Sequence, residues 1–154
     1  MGERGKGPVA LALLVSVVLM VLGYRWSLGE FYWGRSPMTT GLNNLLMFIS
    51  VYLFAAAGMK TAAARHLRHP QLIGFSTWCV AHLLVNGDTP SFVLWGGLLA
   101  WALVEIVVIN ARERNWTPPE PGPVRKEFMA LVGAVVVYAA IAAVHTLLGY
   151  NPFG

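Results

Sequence analysis

Charge is what this sequence has least of. Asp, Glu, Lys and Arg together make up 12% of its 154 residues, and hydrophobic residues 56%. Soluble domains average about 25% charged and about 45–50% apolar. A soluble domain of about 150 residues still exposes about a third of its chain area. With 11 basic and 7 acidic residues, there are too few charges to cover that surface, and they stand in clusters separated by long uncharged runs. The pattern excludes a soluble globular domain, a disordered chain and, despite a net charge of +4, a nucleic-acid binder. Cysteine is nearly absent too. The single Cys79 excludes an intrachain disulfide and any Cys-based zinc or iron–sulfur site. Lying in an apolar run, it reads as a small buried hydrophobe. No internal repeat is present.

What the sequence does have is length in its apolar runs. Charge-free stretches extend from Gly7 to Tyr24, Ser36 to Met59, Pro70 to Gly87 and Phe128 to Gly154, and Thr89 to Ala111 is broken only by Glu105. A helix needs about 20 mostly apolar residues to cross a bilayer. Membrane β-strands alternate apolar and polar residues; Leu11–Leu14 and Val135–Tyr138 do not. The expected fold is all-α, a polytopic membrane bundle of five helices near residues 8–24, 40–63, 71–86, 91–111 and 127–148. The first reads as a retained anchor. Val9–Gly23 reaches the upper length limit of a signal core, and Tyr24-Arg25-Trp26 offers no small-residue cleavage site.

Positive residues set the expected orientation. With the N-terminus inside, Arg4, Lys6, Lys60, Arg65, Arg68, Arg112, Arg114, Arg125 and Lys126 are cytoplasmic, and only Arg25 and Arg35 lie outside. The C-terminus is then outside. Trp26, Phe31, Tyr32 and Trp33 form an outer aromatic belt and Trp116 an inner anchor. Residues 24–40 form a long outer loop along the interface. Residues 112–126 form a stiff, proline-rich inner loop. Asn86-Gly87-Asp88-Thr89-Pro90 is a tight turn in which Asp88 or Thr89 caps the next helix. Gly96, Gly97 and Ala100 offer a close helix contact.

Polar residues inside such spans need a reason, because a central charge costs about 2.5–3.5 kcal/mol on insertion scales. His82, Glu105 and His145 are in this class, with Asn43 and Asn44 near the start of the second helix. His82 lies just before the outer turn at Gly87, and His145 just before Gly149. Their depths match. Two imidazoles at one depth on different helices suit a b-type haem held through both axial positions, a metal, or a proton relay. The plainer alternative is that each imidazole hydrogen-bonds a carbonyl or serine on a neighbouring helix. Glu105 lies in the inner half, with Arg65, Arg68 or His69 as its expected partner. Trp78 and His82 share a helix face, as do Trp101 and Glu105. Those aromatics either wall a flat apolar ligand or pack against other helices.

The block Arg68-His69-Pro70-Gln71-Leu72-Ile73-Gly74, continuing through Trp78-Cys79-Val80-Ala81-His82-Leu83-Leu84-Val85-Asn86-Gly87-Asp88, resembles the NnrU family signature. The likeness continues through Leu94–Ala102 and closes on His145-Thr146-Leu147-Leu148-Gly149-Tyr150-Asn151-Pro152-Phe153, covering the chain from about Thr40 onward. It implies an integral protein of the bacterial inner membrane associated with denitrification and nitric oxide metabolism. It also implies kinship with plant and cyanobacterial 15-cis-zeta-carotene isomerase, a haem b enzyme. In that relative the histidine matching His69 is held to ligate haem, whereas the second ligand position here reads Trp101 or Ala102. An N-terminal helix with its own histidine, carried by longer members, has no counterpart here. Arg-His-Pro followed by Gly is also similar to a motif of membrane methyltransferases that bind S-adenosylmethionine. The second half of that site is missing, with only Glu113, Arg114 and a proline-rich loop in its place.

Three functional readings follow. In the first, haem b sits between helices with His82 and His145 as iron ligands, or with His69 at the inner face, for electron transfer or redox sensing. In the second, the chain is a membrane scaffold or accessory subunit, partnered by the bilayer and by other membrane or respiratory proteins. The third is a haem-dependent isomerase of a polyene.

Overall fold

The computed structural model describes residues 5–120 and 122–154; Arg4, counted above with the inner-side cations, lies outside the described residues. The helices are α1 (Lys6–Trp26), α2 (Pro37–Met59), α3 (Ala62–His66), α4 (Pro70–Val85), α5 (Thr89–Arg112, with one π-helical turn at Phe92–Gly96) and α6 (Val124–Leu147). Two short strands, β1 (Phe31–Trp33) and β2 (Gly87–Asp88), pair antiparallel. The chain is an all-α membrane helix bundle.

Four helices, α1, α2, α5 and α6, are long and apolar enough to cross a membrane. The fifth expected span, α4, has 16 residues, so it extends about 24 Å against a hydrocarbon core of about 30 Å. It is sheltered between α2 and α5, and α2 is the central helix that also carries α6. By contrast, α1 contains no buried residue.

Packing follows the logic of a bilayer, where helices gain little by hiding large apolar groups from one another. The fully buried positions are small: Ala56, Cys79, Ala81, Ala102, Ala130 and Ala134. Large side chains such as Leu11, Leu13 and Leu19 point outward, each more than 60% exposed. A close helix contact is made at Gly74, where a Cβ would stand 3.0 Å from the Ser50 carbonyl oxygen and 3.1 Å from Leu53 Cβ. The Ser50 hydroxyl donates to the Gly74 carbonyl at 2.7 Å. Gly96 and Gly97, the expected contact, face open space.

Local chemistry moves several expected boundaries. Pro37 opens α2 behind a Ser36–Thr39 capping box, earlier than residue 40, because the Ser36 hydroxyl takes up the Thr39 amide proton. Lys60, in the left-handed conformation (φ 56°), ends α2 at Met59. Residues 62 and 63, expected to continue it, belong instead to the separate α3. The expected outer loop 24–40 contains β1, which is stitched to the 86–90 turn. Asp88 caps α5 by accepting the Ser91 amide proton at 2.7 Å, as the turn composition implied.

Candidate functional site at the strand end of the bundle

Trp33 closes the strand end. Its indole N–H donates to the Leu83 carbonyl at 3.2 Å, and its ring lies 5.2 Å from that of Phe92. Gly87 permits this, since a Cβ there would come within 2.3 Å of the indole. The strand pair thus fixes the end of α4, and with it the height of His82, which lies about one turn before Asn86.

His82 and His145 line the same cavity, of about 60 Å³. Its walls come from three helices: Asn43, Asn44 and Met47 of α2, His82 and Val85 of α4, and Tyr138 and His145 of α6. Arg35 and Pro152 complete it from outside the helices. The tail is tied down over this end, with Arg35 donating to the Asn151 carbonyl at 2.6 Å and Asn44 to the Pro152 carbonyl at 3.0 Å.

Both imidazoles are oriented in the same way. Nδ1 of His82 meets the Trp78 carbonyl at 3.0 Å, and Nδ1 of His145 meets the Ile141 carbonyl at 2.8 Å. A carbonyl only accepts, so Nδ1 carries the proton, and Nε2 is left as the working atom of each ring. Among the described residues, neither ring hydrogen-bonds to a neighbouring helix. Trp95, in the π-helical turn, lies against His82 with ring centroids 4.3 Å apart; single π turns are frequent at functional sites. The Trp95 indole N–H has no hydrogen-bond partner among the described residues.

The haem implied by the resemblance can be tested against this geometry. The donor atoms suit iron, but the room does not. Sites for ligands of macrocycle or polyene size span about 300–1,000 Å³, well beyond the cavity of about 60 Å³ between these rings. The wider clefts, about 490 Å³ between α1 and α5 and about 510 Å³ along α6, are lined by no histidine. His69 lies at the opposite end of α4, where Nε2 bonds Asn110 Oδ1 at 2.9 Å.

The other sequence candidates lie elsewhere. Glu105 is half-buried and makes no hydrogen bond or ion pair with the described residues. Its expected partners are engaged otherwise: Arg65 pairs with Glu127 at 3.9 Å, Arg68 donates to the Glu113 carbonyl and His69 holds Asn110. Trp101 packs edge-on to Phe75 at 5.7 Å. Trp78 contacts Phe75, Trp95 and His82 at 5.2, 4.7 and 5.2 Å. These aromatics form one packed ladder that ends on His82. Among the described residues no group of three or more His, Cys, Asp and Glu side chains could hold a metal.

Arg35 and Tyr138 went unmarked as site residues in the sequence. The signal for Arg35 was position, as one of only two cations on the side of the histidines. Asn43 and Asn44 were visible as misplaced polar residues, and the fold shows what they face.

The NnrU family model, described as NnrU protein, matches residues 1–152. No curated protein and no solved structure matches the chain. A signature that spans nearly the whole chain, carried by helices that build a membrane bundle, leads to one conclusion: this protein belongs to the NnrU family.

Proposed function

We propose that this chain is an integral protein of the bacterial inner membrane that serves nitrogen-oxide respiration as a ligand-binding accessory component. Its strand end faces the periplasm, in keeping with the positive-inside bias. One observation carries the reading. Arg35, Asn43, Asn44, His82 and His145 converge on one cavity. Polar groups held at membrane depth are a functional hypothesis by default. Both imidazoles are pre-oriented by their own helices, the arrangement that fixes which ring atom meets a ligand. The size of the cavity favours a small ligand over a macrocycle or a polyene, so the accessory reading stands ahead of the electron carrier and the isomerase.

The visible spectrum of protein purified in mild detergent from haem-replete cells tests this. The expected preparation is colourless. A Soret band with sharp α and β bands on reduction, lost in both His82→Ala and His145→Ala, would overturn the reading in favour of bis-imidazole haem. A companion test uses a nitrate-respiring host deleted for its own NnrU-family gene. There, His145→Gln is expected to abolish whatever restoration of growth the unmodified chain provides.

A further inference from the structure

We infer that the cavity between His82 and His145 binds a small monovalent inorganic anion of one to four heavy atoms. The inference rests on the reading above and names the class of ligand. Charge argues for it first. The cavity is lined by the Arg35 guanidinium and two imidazoles, and by no Asp or Glu. Arg35 has no carboxylate partner among the described residues; its recorded bond is to the neutral Asn151 carbonyl. Arg35 itself is exposed at the rim, while Met47, Val85, Ile141 and Ala142 make the rest of the lining largely apolar, so its charge is the one net charge that the cavity presents to an entering ion.

Hydrogen bonding argues the same way. Arg35 carries five N–H groups and uses one on the tail. The Asn43 amide donates to Asn44 Oδ1 at 3.3 Å, and the Asn44 amide to the Pro152 carbonyl; each –NH₂ keeps a second hydrogen. Donors to an anion therefore come from Arg35 and from the Asn43 and Asn44 amides, while the two histidines shape the wall between α4 and α6. A metal cation would meet the Arg35 charge with no carboxylate to offset it. Size completes the case, since about 60 Å³ admits an ion of a few atoms or a few waters.

The test uses the full chain in mild detergent, titrated with sodium chloride, nitrite and nitrate against citrate at matched ionic strength, with thermal unfolding and calorimetry as readouts. Chloride, nitrite or nitrate is expected to bind saturably and raise the unfolding temperature, while citrate does neither. Arg35→Gln should weaken binding at least about tenfold, as the loss of a charge-assisted hydrogen bond does, and His145→Gln, which alters the cavity wall, should weaken it as well. Arg35→Lys keeps the charge and should stay within about threefold, which separates anion binding from the tail contact that Arg35 also makes. The inference is overturned if no small anion binds saturably, if citrate is equivalent, or if both Gln variants bind like the unmodified chain. If anion binding fails while His145→Gln still abolishes growth in the host strain, the anion inference falls and the proposed role stands. If both fail, both fall.

Discussion

Gly87 shows how one residue without a side chain can govern the site from outside it. Trp33 lies where a Cβ at this position would be, at 2.3–2.5 Å, so Gly87→Ala must push the indole off the Leu83 carbonyl or move the strand pair. The expected loss is about 1–3 kcal/mol, the range for forced overpacking, measured by thermal unfolding in detergent. Glu105 presents the opposite case. It is half-buried in α5 with no partner among the described residues, and a lone carboxylate within a span carries an insertion penalty of about 2.5–3.5 kcal/mol. Glu105→Leu is therefore expected to keep or raise the unfolding temperature. A clear fall would reveal a partner for the carboxylate in the assembled membrane protein.

Among the elements, α5, like α2, has a chemically set start. Asp88 supplies its N-cap, and Trp95, in the π turn that follows, lies against His82. Asp88→Ala should destabilise the protein by about 1 kcal/mol, the usual worth of an N-cap. It should also change tryptophan fluorescence, because the Trp95–His82 contact depends on where α5 begins. Both outcomes were half-visible in the sequence: the turn at residues 86–90 and its cap follow from composition, whereas a π turn has no compositional signature. The α2 boundary is similar. Nothing in the charge-free run marks Lys60 as left-handed, so the expectation ran on to residue 63, past the observed end at Met59.

At the scale of the molecule, the short α4 decides how many times the chain crosses. If α4 spans along with the four long helices, the termini lie on opposite faces. Reporter fusions are then expected to place the N-terminus in the cytoplasm and the C-terminus in the periplasm; a cytoplasmic tail would mean that α4 turns back. The sequence by itself determined the solvent. With so few charges, grouped between long apolar runs, the chain can satisfy its backbone only as helices in lipid, and the signature around Arg68-His69-Pro70 carried the family. It also placed His82 and His145 at equal depth, because rise per residue is a one-dimensional quantity. Which faces those helices turn toward one another is not one-dimensional. Only the tertiary structure, with α2 set between α4 and α6 and the tail tied down by Arg35 and Asn44, turned two imidazoles at one height into a single small polar cavity and left Glu105 and His69 outside it.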